Sequence, residues 1–569
     1  MPRAGLLLTF LLAACSTSRT SGSVADLGTG CTGAGCPACT PGTDVCVGND
    51  VHTCDANGTT GAIVTTCDPL AGAACIGGAC DNGCAAAATT DSNVGCEFWA
   101  VDLDNEEVAG SLAASQPWGV VVSNAGALTA TVSVDRNDGE PGGQPIVSSV
   151  MGLSLPPGTV QMVALPQRWI DGSTGMANNG TGTALSSNAY RISSDVPLVV
   201  YQFNPLRQSF SNDASLLIPT NGLGTDHRIV GYPTARPLAI LGPELVSRSY
   251  ITIVGTSTAT QVTVKVTNAT VAGGGIPALA AGATWTGTIG PYDVINIESD
   301  GAPGDFTGSA VSASAPVAVF SGSEASVAPA TSKKPPAPPG YDASSTTCCT
   351  DHLEEQVWPV TSLGKTFVIT RSPIRSDDPT TYPGYDIVRF VGAAAPATVT
   401  TNLPGPDASF TLQPGELHEA FVETDFVATA TQPILVAQIL VSGDYTDTNA
   451  LSGDPSLTIL PALEQFRPSY LFLVPDSYDK NYLVIAQRAA DAPVQIDGGP
   501  LPATCTQADA GTVAGDDYLS RTCPVQPGAH KLTGDHPFGI AAYGYYRYGS
   551  CAFNGGAYVK KIYTPPPIL

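Results

Sequence analysis

The sequence predicts an all-β protein: four tandem modules of the β-sandwich kind behind a small disulfide-rich N-terminal region. Three observations predict it. A proline-led apolar segment recurs four times, turn-forming residues are abundant, and charged residues are too scarce for amphipathic helices.

The recurring segment first occurs as Ser193-Ser194-Asp195-Val196-Pro197-Leu198-Val199-Val200-Tyr201-Gln202-Phe203 and returns around Pro316, Pro433 and Pro537. These prolines lie 119, 117 and 104 residues apart, the size of a small β module. A polar turn, a proline and then β-branched and aromatic residues read as a turn feeding a buried strand. Proline at the strand start would cost the ladder no donor. The 47 Pro and 61 Gly suit a turn-rich chain, and 13% charged residues cannot dress the polar faces of long helices.

Taken in order, residues 1–14 read as a signal peptide, with Arg3 before the apolar run Leu6 to Leu12. Leu12-Ala13-Ala14-Cys15 has the form of a bacterial lipobox, which makes Cys15 the expected lipidation site and the lipid anchor the expected membrane partner. Ser16 is compatible with sorting to the outer membrane. Residues 15–30 then form a flexible Ser/Thr/Gly tether. The stretch 31–95 carries nine cysteines from Cys31 to Cys84 among small polar residues, so crosslinks replace a core there. Cys36-Pro37-Ala38-Cys39 reads as part of that framework, because a zinc site would need more partners than His52. Cys84 and Cys96 can close one loop, and Cys505 and Cys523 are further disulfide candidates. With Cys15 lipidated, 15 of the 16 cysteines remain and one thiol is left over.

The body divides into modules at 96–211, 212–350, 351–453 and 454–569, the last including a C-terminal tail. Each shows a pair of alternating strands expected as a hairpin, such as Val120 to Asn124 with Thr131 to Val134. A Pro/Gly or Ala/Gly turn and the proline-led strand follow. Asp213 to Pro219, Asp351 to Pro359 and Asp454 to Pro461 read as opening segments of modules two, three and four. Repeats of ~105–140 residues exceed the ~40–50 of a propeller blade, so sandwiches in a row are expected, with closure into a propeller-like array as the alternative. Asn178 to Ser187 reads as a small polar loop and Ser332 to Gly340 as a polyproline-like spacer.

A net charge of −25 without a basic stripe argues against a nucleic-acid partner. Only six histidines occur, and the common hydrolase and nucleotide motifs are absent. The sharpest chemical cluster is Asp351, His352, Glu354 and Glu355 beside Cys349. In a strand, His352 and Glu354 face one side while Asp351 and Glu355 face the other, so the expected role is structural, at the junction of modules two and three. Asp102 to Glu107 offers oxygen ligands for calcium but lacks the turn glycine of an EF-hand loop, so a solvated acidic loop is expected. No metal or cofactor is expected. Tyr543, Tyr545, Tyr546 and Tyr548 form an aromatic cluster, either exposed rings for binding or an edge strand packed on its sheet.

Three stretches carry a family resemblance: Gly95 to Asn105; Tyr201 to Pro205 followed by Asn212 to Pro219; and Cys349 to Val360. With these the chain resembles the IgG Fc-binding family, whose bacterial members look similar in having a lipobox, a Cys-rich head and a β body. The motif residues are Asp351, His352, Leu353, Glu354, Glu355 and Gln356. Relatives place a second cysteine where this chain has Gly322 to Val327. The bridge that the resemblance implies is therefore open to replacement by a vicinal Cys348–Cys349 disulfide or a free thiol. The resemblance implies adhesion or protein binding, not immunoglobulin binding by this chain. The expectation is a non-enzymatic, lipid-anchored bacterial cell-envelope protein that presents its modules to surface proteins or glycans. The alternatives are a polysaccharide-acting hydrolase using the Asp351–Glu355 carboxylates and a structural envelope component.

Overall fold

The computed structural model describes residues 39–67, 74–81, 83–108, 111–126, 128–170, 182–207, 211–235, 246–330, 334–341, 350–447 and 452–569. The segments expected as a signal peptide and a tether, with Cys15, Cys31, Cys36, Cys348 and Cys349, lie outside them. The chain forms two compact units, one of Met1–Cys67 with Ala74–Asp81 and one of Asp68–Ala73 with Asn82–Leu569.

In the first unit Asp44–Val47, Asp50–Cys54 and Thr60–Thr66 form an antiparallel sheet, and Ala74–Ile76 pairs with Ala79–Asp81. Ile63 and Val64 are 57% and 54% exposed, so this sheet shields little apolar surface. Crosslinks Cys39–Cys54, Cys46–Cys75 and Cys67–Cys80 hold it instead. Cys39, the second cysteine of the CxxC, is thereby committed to Cys54 rather than to Cys36.

The second unit contains four antiparallel modules with almost no helix, each built around one long strand: Tyr190–Asn204, Ala310–Ser326, Phe426–Leu440 and Gly528–Tyr546. The prolines do not stand at strand starts as expected; each lies inside its long strand. In every module the partner ladder skips at the proline, as between Ser193 and Leu198 or between Thr429 and Ile434. A bulge needs no donor from its extra residues, which is why proline is tolerated there. Three residues beyond each proline, Val200, Val319, Val436 and Ile540 accept a backbone hydrogen bond from Leu217, Val357, Leu460 and Gly555. The four segments are therefore equivalent in space as well as in sequence.

The bulge splits each long strand between two layers. In the first module its N-terminal half pairs with Gly95–Ala100 and Ala130–Asn137, and its C-terminal half with Gly119–Ser123 and Asp213–Leu216. The expected hairpins are thus arches: Gly119–Ser123 and Ala130–Asn137 each pair with the long strand, in different layers, and not with one another. The alternating pattern specified one buried face but could not specify the partner. Between the layers lie apolar side chains such as Val120, Val122, Val132, Val134, Ile192 and Val200, none more than 1% exposed.

Asp213–Leu216, Asp351–Gln356 and Leu457–Ile459 each close the sheet of the preceding module instead of opening the next, and Gly549–Asn554 does the same for the fourth. These four short strands touch in cyclic order, first to second, second to third, third to fourth and fourth to first. The modules therefore close on one another instead of standing in a row. Ala184–Ser186, within the expected polar loop, is a strand of the second module's sheet and pairs with Val294 to Asn296, tying the first module to the second. Residues 178–181 of that loop and 332–333 of the proline-rich stretch lie outside the described residues.

Candidate functional site

The acidic motif sits in the cyclic hub. Asp351, His352, Leu353, Glu354, Glu355 and Gln356 are all at most 2% exposed. The alternation of a strand sends Glu354 and His352 to one side, with His352 Nε2 3.4 Å from Glu354 Oε2 and 3.4 Å from the Tyr250 hydroxyl. Glu355 leaves on the other side, where Ile459 N of the third module donates to its Oε1 at 2.9 Å.

The same device joins the other modules. Asp213 Oδ1 accepts from Ser456 Oγ at 2.6 Å, and its Oδ2 accepts from Leu457 N at 3.0 Å and Glu354 N at 3.2 Å. Asp351 accepts from Asn212 N and, at 3.4 Å, from Ser550 N. Gln356 Oε1 takes Ile218 N at 2.7 Å, and Ser456 Oγ takes Ala552 N at 2.8 Å. Neighbouring hub strands are thus joined by side chains that accept from one another's backbone N–H groups, which would otherwise be buried without partners.

Burial sets the charge states. It raises the Glu354 carboxyl to about 8, raises Asp213, Asp351 and Glu355 well above the usual carboxylate range, and lowers His352 to about 3. The His352–Glu354 contact is therefore between neutral groups at pH 7, a poor start for acid–base chemistry and a good one for a buried structural bond.

A pH dependence follows. Glu354 titrates at 4.5 ordinarily and at about 8 here, so its contribution is complete below 4.5 and disappears as pH rises through about 8. His227 and His352, held near 3 against an ordinary 6.5, act in the opposite sense, and only as pH falls below 6.5. Between pH 6.5 and 8 the carboxyls alone act. Unfolding free energy measured by denaturant titration is expected to fall across that window by on the order of 2 kcal/mol from Glu354 alone. A flat or rising profile contradicts this account of the hub.

Two other acidic and aromatic expectations change. Asp102, Asp104 and Asn105 are at most 3% exposed and do not form a solvated loop. Asp102 Oδ2 accepts from Arg168 N at 3.0 Å, Asp104 Oδ2 accepts from Asn296 Nδ2 of the second module at 3.2 Å, and Asn105 Nδ2 donates to Ser211 O at 2.9 Å. Among the described residues no three His, Cys, Asp or Glu side chains converge as metal ligands. Tyr543 and Tyr545 are buried at 2% and 1% and cannot meet a ligand. Their hydroxyls donate to Gln438 Oε1 at 2.7 Å and Pro373 O at 3.1 Å, sealing the fourth module to the third. Tyr546 is exposed, and Tyr548 is half-buried with Arg547 over its ring.

Cys84 bridges Cys96 and Cys505 bridges Cys523, while Cys551 is a free, buried thiol that burial pushes up to about 12. Sequence reasoning missed Asp213, Ser456 and Ser550 as hub residues. The available signal was an aspartate heading each of the segments Asp213, Asp351 and Asp454, since an acid repeated at one position of a short apolar strand has to find donors.

The profile of the IgGFc binding protein family matches residues 213–544, which takes in the third module whole and most of the second and fourth. The human protein called IgGFc-binding protein is 26% identical over 326 residues, 57% of this chain, and the matched stretch spans 5% of that protein's length. No solved structure matches the chain.

Proposed function

The chain belongs to the IgGFc binding protein family, and on that premise we propose that it is an exported, non-enzymatic protein whose four-module body binds other proteins. The observation that carries this reading is the fate of the acidic motif. Its side chains are buried: Asp351 and Glu355 accept from backbone N–H groups of other modules, Glu354 from Ser215 Oγ and Gln202 Nε2 of the first, and His352 contacts Tyr250 and Glu354, so they serve as a frame rather than as reagents. On such scaffolds binding residues usually sit on surface loops.

Export is supported by the five disulfides among the described residues and by the signal-like sequence before Cys15. We place the anchor on Cys15 and the body at a bacterial outer membrane, on the strength of Leu12-Ala13-Ala14-Cys15. No helix among the described residues is long and apolar enough to cross a membrane.

The test pairs binding with turnover. The wild-type chain and Glu354→Gln are presented to immobilised proteins, IgG Fc among them, and to cell-wall polysaccharides. Because Glu354 is already neutral in the folded protein at pH 7 while it ionises in the unfolded chain, the variant is expected to fold at least as stably as wild type and to retain capture. Polysaccharide turnover by wild type that a folded Glu354→Gln loses would establish the hydrolase alternative instead.

A further inference from the structure

Where the fourth module meets the first, a cleft of about 290 Å³ opens. Val94, Val199 and Leu471 give it apolar walls, and Arg467, Ser469 and Lys531 supply the polar groups. Clefts at module boundaries with apolar walls and a few converging polar groups are the usual form of a ligand site.

Its charge is unlike that of the rest of the chain. Arg467 is 2% exposed, donates to Ser92 Oγ at 3.2 Å and to Asn93 Oδ1, and has its guanidinium 5.3 Å from the centre of the Tyr558 ring. Lys531 is exposed on the neighbouring strand, as the ladder partner of Leu471. The carboxylate in the lining, Asp497, is already engaged by His530 Nδ1 at 2.8 Å and by Lys531 N at 2.8 Å. Two cations thus face a small cavity in a chain of net charge −25. The Ser469 hydroxyl oxygen is buried in the lining without a hydrogen-bond partner, and such a group costs free energy unless something reaches it.

The lining residues Ser469, Tyr470 and Leu471 belong to the strand Arg467–Val474. That strand is laddered on one side only, to Gly528–Tyr546. A strand edge beside a cationic pocket suits an extended peptide, whose backbone follows the edge while an acidic side chain enters the pocket.

We propose that this cleft binds an extended acidic peptide segment, with Lys531 and Arg467 facing its carboxylate and Ser469 bonding to it. The proposal rests on the protein-binding reading and specifies the chemistry of the partner. The cavity holds one or two residues of such a segment, so affinity from it alone is modest and specificity comes from charge.

The test is calorimetric titration of the full chain with the capped tripeptide Val-Glu-Val, its Val-Gln-Val counterpart and glucuronic acid. Saturable binding of the Glu peptide is expected, at least tenfold weaker for the Gln peptide and weakened by salt. Lys531→Met, an exposed change, is expected to lose that preference while its unfolding midpoint stays at the wild-type value, and Ser469→Ala to weaken binding severalfold. Equal binding of the two peptides, an unaltered Lys531→Met, or preference for the sugar acid would each overturn the proposal. Protein capture that survives with no peptide binding sinks this inference alone, whereas loss of all protein capture by wild type sinks the functional reading beneath it.

Discussion

Asp213→Ala is expected to destabilise the four-module body by about 3–5 kcal/mol, a large effect for one surface-sized side chain. The carboxyl accepts from a hydroxyl and two backbone N–H groups that belong to the second and third modules. Alanine leaves Ser456 Oγ, Leu457 N and Glu354 N without that acceptor in a place where Asp213, Ser456 and Glu354 are all 0% exposed. Each orphaned donor costs on the order of 1–3 kcal/mol, reduced where water can enter the space vacated. Asp213→Asn keeps the volume but turns a donor toward donors, so roughly half the loss is expected. Denaturant unfolding of the three proteins measures the series, and a loss below ~1 kcal/mol for alanine would contradict the hub's role.

Gly322→Ala carries the second large effect. A methyl group at Gly322 would stand 1.8 Å from Leu353 O and 2.5 Å from the Tyr250 hydroxyl, which itself donates to Leu353 O at 2.8 Å. The obstacle is backbone in the hub strand, paired through Gly322 with Glu354, so no rotamer change relieves it. The expected loss is about 3 kcal/mol or more. Gly152→Ala is the control: its methyl would meet only Val132 O at 3.8 Å, and a change within ~0.5 kcal/mol is expected. Similar stabilities for the two variants would show that the second long strand and its hub partner are not in close contact.

These two positions also show what the sequence could and could not tell. The repeat was legible from Pro197, Pro316, Pro433 and Pro537, because a proline flanked by β-branched residues has few tolerable places in a sheet. Their location within the strands was not legible, since a bulge and a turn leave the same polar signature before the proline. The buried, alternating face of Val132 to Val134 was evident, whereas Val120 to Val122 are buried on both faces; that the two strands serve different layers was not legible, because period two fixes a face and leaves the neighbour open. Closure was hidden for a further reason. The residues that achieve it, Asp213, Glu355, Gln356 and Ser456, form no ladder between modules and act through side chains across long sequence separations. Tyr543 and Tyr545 were ambiguous in the same way: an aromatic with a hydroxyl suits a wet surface or a buried seam equally, and only the position of Gln438 and Pro373 decides.

The central claim is that the hub strands of the four modules form one buried frame, and native-state hydrogen exchange reads it residue by residue. The amides of Ile218, Leu457, Ile459 and Ala552 have their partners on Gln356, Asp213, Glu355 and Ser456 of other modules. They are expected to exchange as slowly as the amides of Leu217, Val357 and Leu460, which bond Val200 O, Val319 O and Val436 O within single modules, and only through opening of the whole body. Fast exchange at those four amides, with the module interiors still protected, would show separate modules in a row and contradict the account.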